Sequence, residues 1–221
     1  FITAPDEHMV RYFSSDTLYL PSIYRDLFQD GGHLLEWSLN PAPNFFPDMG
    51  LFFLLNWLLG GFLLAAYVYP MVQFVIMAWL FRAILRETGR DHRDHGAALG
   101  ALLLSLLPLC TMVGGDFDLA ANFLLNSYHT GAFVNALLAT LLLLRLVKGA
   151  SGWWSIPLTL VVMAAGVSDK LFWIIFLLPA TCALLLLSMR PGARKRHLLL
   201  TALMLVATWA AHRSLHMLAD A

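Results

Sequence analysis

The sequence predicts an all-α fold, a polytopic transmembrane helical bundle with an extracytoplasmic loop containing amphipathic juxtamembrane helices. Of the 221 residues, 59% are hydrophobic and only 13% are charged, which is about half the charged fraction of a soluble domain. The apolar residues collect in runs long enough to cross the ~30 Å hydrocarbon core of a bilayer as helices. We therefore divide the chain into an extracytoplasmic loop, residues 1–49, and a transmembrane helical domain, residues 50–221.

The loop contains one short amphipathic helix. Pro21 suits the first position of a helix, and Gly31 and Gly32 end it. The apolar residues follow helical spacing and form one stripe: Leu20, Ile23, Tyr24, Leu27 and Phe28. Such a helix is too short to cross a bilayer and suits a place on the membrane interface. An ordinary surface helix of an extramembrane domain is the alternative.

The chain then returns to the apolar part through residues 40–48, whose three prolines exclude regular helix. Residues 49–59 are apolar but too short to cross, and Gly60-Gly61 separates them from the first full span. About six spans are predicted: 62–85, 96–113, 129–147, 153–167, 171–189 and 197–215. Because the chain begins at Phe1 without a methionine, we expect it to be a fragment of a longer protein.

The distribution of charge predicts the orientation. If every span crosses, ten of the fourteen Lys and Arg residues lie on one side and eleven of the fourteen acidic residues on the other. Cytoplasmic loops are enriched in Lys and Arg, so residues 1–49 are placed on the extracytoplasmic side of a bacterial inner membrane. The formal net charge is zero, which gives no reason to expect a nucleic-acid partner.

Residues able to do chemistry gather on this outer side. The candidates are Asp16, Asp48, Asp116, Asp118, His129, Lys170 and Arg25. Each could equally be a solvated loop charge. Lys170 either binds a lipid phosphate as a point charge or, with Asp169, caps a hairpin, and His129 is either a pocket ligand or a polar helix-start residue. The spacing of His, Asp and Glu shows no dedicated metal site, although Asp116 and Asp118 could contribute carboxylates to a divalent cation.

The order of short motifs over roughly residues 10–150 resembles the GT-C superfamily of integral-membrane glycosyltransferases, which includes protein O-mannosyltransferases and lipid A aminoarabinose transferases. SSD, with Asp16, resembles the acidic motif of their first outer loop. YLPSIYRDLFQDGG and NFFPDMGLFFLLNWLLG resemble the two juxtamembrane helices and the re-entry between them. GGDFD resembles the acidic motif after the next span. The chain departs from the family by having one acid at Asp16 and Phe45-Phe46-Pro47 where a basic-Pro-Pro sequence is common.

The resemblance implies transfer of a sugar from a polyprenyl-phosphate-type lipid donor to an acceptor hydroxyl, with inversion at the anomeric carbon. Asp16 would be the general base. The phosphate that leaves needs cations or hydrogen-bond donors, for which Lys170 and Arg25 are the first candidates. The expected partners are the lipid-linked donor and membrane lipids.

Two other functions stay open: a transporter or flippase subunit for a lipid or small solute, and a non-catalytic membrane assembly protein. Transporters place ionisable residues within their spans and often show inverted repeats. The sequence shows no internal repeat and few charges within the predicted spans, which favours the transferase.

Overall fold

The computed structural model describes residues 15–37, 42–89, 129–189 and 194–219. Within these ranges every regular element is helical and no strand is present, which confirms the all-α class. The α-helices are α1 Ser15–Arg25, α2 Gly50–Leu59, α3 Phe62–Glu87, α4 Thr130–Val147, α5 Ser155–Ser168, α6 Leu178–Ser188 and α7 Arg194–Ala219. A short helical turn at Asp26–Asp30 extends α1. Similar turns at Gly152–Trp154 and Trp173–Leu177 lead into α5 and α6, respectively.

Two helices, α3 and α4, are long and apolar enough to cross a membrane, judged by length and composition. Helices α5 and α6, with the turns before them, are apolar but shorter. The helices coincide with the predicted spans at 62–85, 129–147, 153–167, 171–189 and 197–215 to within a few residues at each end. The predicted span at 96–113 lies outside the described residues.

Helix α1 begins earlier than the sequence predicts. It starts at Ser15, so Pro21 lies inside it and not at its first position. A proline inside a helix removes one backbone hydrogen bond. Burial offsets that loss here, because Leu20 and Ile23 on either side of Pro21 are fully buried and pack in a cluster with Phe52 of α2. The predicted end is confirmed, since Gly31 adopts a left-handed conformation with φ 81°.

The predicted break between α2 and α3 is also confirmed. Gly60 has a left-handed backbone with φ 70°, and Gly61 is extended. Glycine adopts the conformation of Gly60 without the strain that a Cβ would cause. The chain therefore reverses after the short α2, and α3 packs back on it.

Helices α3 and α4 run in the same direction. Near their ends Arg145 of α4 forms an ion pair with Glu87 of α3 at 2.9 Å, and its guanidinium lies 4.7 Å above the ring of Trp154, just before α5. Helix α5 therefore runs in the opposite direction. The starts of α3 and α4 and the end of α5 meet at the other end of the bundle, which we call the polar end.

Large apolar side chains cover much of the outer surface. They include Trp57, Met71, Trp79, Leu160 and Trp209, each more than 60% exposed. Exposed apolar surface on this scale is typical of a face that contacts lipid or another protein.

Candidate functional site at the polar end

The re-entry segment, residues 42–49, is held at the polar end by its own backbone. The N–H groups of Asn44 and Phe46 donate to the carbonyl oxygen and the hydroxyl of Ser168, at 3.0 and 2.8 Å. The amide of Asn135 donates to the Phe46 carbonyl at 2.8 Å. Phe46 is extended, so Phe45–Met49 is a kinked turn, as the prolines predicted. The partners come from α4 and α5, which places the segment between these helices.

Asp48 is the buried centre of this arrangement, with 2% of its surface exposed. Its Oδ1 accepts hydrogen bonds from the Tyr69 hydroxyl and from Gln73 Nε2, the latter at 2.7 Å. Tyr69 and Gln73 are four residues apart on one face of α3. On the opposite side the carboxylate fills the space beside Gly131, where an added Cβ would lie 2.5 Å from Cγ of Asp48. Asp48 thus joins the re-entry segment to both α3 and α4.

The surroundings of Asp48 shift its pKa in opposite directions. Burial raises the pKa of Asp48 from its ordinary 3.8 to about 6, and the negative charge of Asp169 adds to the rise. The hydrogen bonds from Tyr69 and Gln73 favour the ionised form and limit the rise. Asp48 is therefore mostly ionised at neutral pH but takes up a proton in mildly acidic conditions.

A second pair lies beside it. His129, at the start of α4, places Nδ1 2.6 Å from Oδ2 of Asp169 in the turn after α5. The other oxygen of Asp169 accepts the N–H of Leu171 at 2.8 Å. Asp169 is almost fully buried, whereas 54% of the His129 side chain is exposed. Asp169 therefore holds the half-exposed ring through its Nδ1 atom.

The structure brings some of the predicted site residues together and leaves others apart. Asp48 and His129 lie at the polar end, and the exposed Lys170 is next in the chain to Asp169. Arg25 instead pairs with Asp30 at 3.2 Å on an exposed surface, a kind of pair that contributes little stability. Asp16 lies in the first turn of α1, with its side chain outside the described part. Asp116 and Asp118 also fall outside the described residues.

No family model, curated protein or solved structure matches this chain. What the polar end can do therefore follows from its own groups. The second ring nitrogen of His129 can take part in a hydrogen bond, and the exposed Lys170 can attract an anion. Across the described ranges, no three His, Cys, Asp or Glu side chains converge closely enough to hold a metal ion.

The sequence did not single out four of the residues that build the site: Tyr69, Gln73, Asn135 and Ser168. A signal was present, because each is polar within an apolar helix. A polar group in such a helix is costly unless it is paired, so each of the four needed a partner. The spacing of Tyr69 and Gln73 by four residues placed both on one face of α3 and pointed to a shared partner.

Proposed function

We propose that the chain is an integral membrane glycosyltransferase that moves a sugar from a polyprenyl-phosphate-type donor to an acceptor hydroxyl at the extracytoplasmic face. One observation carries the proposal. An amphipathic helix, a re-entry segment, a short apolar helix and a long apolar helix follow in the order of the GT-C layout, and the re-entry segment is bound beside a proton acceptor and an exposed lysine.

A polytopic membrane protein is part of the proposal. The apolar surfaces of α2, α3, α5 and α7 support lipid contact. The two ends of the bundle differ in charge. Arg86, Arg145 and the exposed Lys148 lie with Glu87 at the ends of α3 and α4, whereas Asp48 and Asp169 lie with Lys170 at the polar end. By the enrichment of Lys and Arg in cytoplasmic loops, the polar end is extracytoplasmic.

The reaction needs a base for the acceptor hydroxyl and a positive charge for the leaving phosphate. The resemblance gives the first role to Asp16. Lys170 is the better placed cation, because Arg25 already faces Asp30. A lysine ammonium that contacts the donor phosphate contributes about 1.5–3 kcal/mol to binding, or roughly 10- to 100-fold in affinity.

A transfer assay tests the proposal. The purified protein in lipid nanodiscs is given radiolabelled undecaprenyl-phosphate mannose, glucose or aminoarabinose, with a bacterial envelope fraction as acceptor, and transfer of label is counted. Lys170→Gln is expected to raise the KM for the donor about 10-fold or more. Lys148→Gln, an exposed lysine at the far end of α4, is the matched control and should behave like the unaltered protein. If the unaltered protein transfers none of the three sugars, the proposed function is wrong.

A lipid flippase or small-solute transporter is the second candidate, because Asp48 is an ionisable group buried among helices, a placement common in transport proteins. Proteoliposomes that contain a fluorescent polyprenyl phosphate separate the two functions. Acceleration of lipid movement between leaflets, measured with a membrane-impermeant quencher, would favour the flippase. An unchanged rate would leave the transferase.

A further inference from the structure

We propose that His129 and Asp169 form a catalytic dyad in which Nε2 of His129 takes the proton of the acceptor hydroxyl and Asp169 positions the ring. The identity of the reaction rests on the proposed function, and the assignment of roles rests on the geometry of the pair. The dyad and Asp16 are alternatives for the same step.

The hydrogen bond predicts which tautomer the imidazole adopts. Nδ1 of His129 lies 2.6 Å from Oδ2 of Asp169, and the other oxygen is occupied by the N–H of Leu171. Because the ionised carboxylate can only accept, Nδ1 carries the hydrogen and Nε2 carries the lone pair. Nε2 forms no hydrogen bond with the described residues, and the ring is 54% exposed. Nε2 is therefore the ring nitrogen that can accept the proton of an acceptor hydroxyl.

Charged and polar groups from three elements surround the pair. When Nε2 takes a proton, the imidazolium faces the carboxylate that already holds Nδ1, as in the triads of hydrolases. Asp48, on the re-entry segment, lies close enough for the charge of Asp169 to raise the pKa of Asp48, and its own partner Tyr69 comes from α3. Lys170 is the neighbouring cation along the chain.

The step balances as follows. The acceptor oxygen forms a bond to the anomeric carbon while its hydrogen moves to Nε2 of His129. The bond between the anomeric carbon and the phosphate oxygen breaks, and its electron pair leaves with the polyprenyl phosphate. The proton on His129 then passes to water, which restores the neutral ring. No oxidant, reductant or further reactant is needed.

The first experiment reads the tautomer without any reaction. The protein is labelled with ¹⁵N-histidine in nanodiscs, and His129→Gln identifies the His129 signals. At a pH where the ring is neutral, hydrogen on Nδ1 and a lone pair on Nε2 are expected. Hydrogen on Nε2 would overturn the dyad, whatever the transfer assay shows. This result is independent of the proposed function.

The second experiment is the pH profile of kcat in the transfer assay. His129→Gln is expected to lower kcat by about 10²- to 10⁴-fold, the usual effect of a general base, with little change in the KM for the donor. Asp169→Asn should lower kcat. It should also move the acid limb of the profile, where kcat falls as the pH is lowered, to lower pH, because the imidazolium loses its carboxylate. A purely structural role would reduce the amount of folded protein and leave the limb in place, which would overturn the positioning role.

Three further variants complete the test. Asp16→Asn should keep most of its activity if the dyad is the base, whereas loss in Asp16→Asn with full activity in His129→Gln would return the role to Asp16. His33→Gln, an exposed histidine on the loop after α1, is the control for histidine replacement. Asp48→Asn should still lose kcat at low pH. If kcat no longer fell at low pH in this variant, the fall would belong to Asp48, and the dyad would be refuted as its source. If the unaltered protein transfers no sugar, the proposed function fails and the base role with it, while the tautomer still reports on the pair.

Discussion

Replacing Gly131 by alanine should disrupt the contact between α4 and the re-entry segment. Gly131 lies in the first turn of α4, against the Asp48 carboxylate. A Cβ there would lie 2.5 Å from Cγ and 2.7 Å from Oδ1 of Asp48, and closer still to Oδ2. Such distances are well inside van der Waals contact, so the carboxylate must leave its place. Tyr69 and Gln73 then lose the acceptor they share.

The magnitude follows from these losses. A buried donor left without its partner costs about 1–3 kcal/mol. Tyr69 loses its acceptor, whereas Gln73 Nε2 keeps the Tyr69 hydroxyl at 2.6 Å. Overpacking adds about 1–3 kcal/mol, and the gain in helix propensity from glycine to alanine returns at most about 1 kcal/mol. We expect the free energy of unfolding to fall by about 1–6 kcal/mol. At about 2–4 °C per kcal/mol for a chain of this size, Tm should fall by about 2 °C or more.

The assay is thermal unfolding in detergent or nanodiscs. Gly166→Ala in α5 is the matched control, because its Cβ would lie 3.4 Å from Trp173 Nε1 and 3.9 Å from Ala211 Cβ, both ordinary contacts. It should leave Tm unchanged or raise it slightly. In an Asp48→Ala background, Gly131→Ala should cost little. An equal loss with and without Asp48 would refute the clash as the cause.

Two further predictions concern stability. The pKa of Asp48 in the folded protein, about 6, lies above the ordinary 3.8, so the folded state binds more protons than the unfolded state between these pH values. The free energy of unfolding should therefore fall as the pH rises from about 4 to about 6, by about 3 kcal/mol in all. Asp48→Asn should remove this slope in unfolding curves at pH 4.5 and 7.5, and a slope that persists in the variant would belong to another group. At the end of the bundle opposite the polar end, Arg145→Ala should lower the free energy of unfolding by about 1–2 kcal/mol. The partly exposed ion pair with Glu87 and the contact of the guanidinium with the Trp154 ring each contribute up to about 1 kcal/mol. The exposed Arg86→Ala is its control, and losses from Arg145→Ala and Glu87→Ala that simply add would contradict the pairing.

The sequence predicted the helices well because length and apolarity decide them. The run after Gly61 is apolar for more than twenty residues and forms α3. Two glycines, Gly31 and Gly60, mark helix ends because they adopt conformations costly for other residues. The start of α1 was predicted wrongly, because the proline rule looks only at local preference, whereas the burial of Leu20 and Ile23 decides where this helix forms.

The candidate site was harder to predict. Asp48 and His129 stand out in the sequence as ionisable residues beside apolar runs, but their partners Gln73 and Asp169 do not by themselves indicate what they bind. The pairing of His129 with Asp169 joins residues 40 positions apart, and a contact of that kind depends on how helices pack. Charge and periodicity within one segment carry no information about it.

The hydrogen bonds of the re-entry segment also constrain the biosynthesis of the protein. The hydroxyl that receives the Phe46 N–H belongs to Ser168, 122 residues later in the chain. At about 5–20 residues per second, the ribosome needs roughly 6–25 s to reach it. During that interval the polar backbone of the re-entry segment lacks its final hydrogen-bond partners. The segment therefore gains its last partner only when α5 arrives, and truncation before Ser168 should leave a nascent chain that the cell's quality control recognises as incomplete.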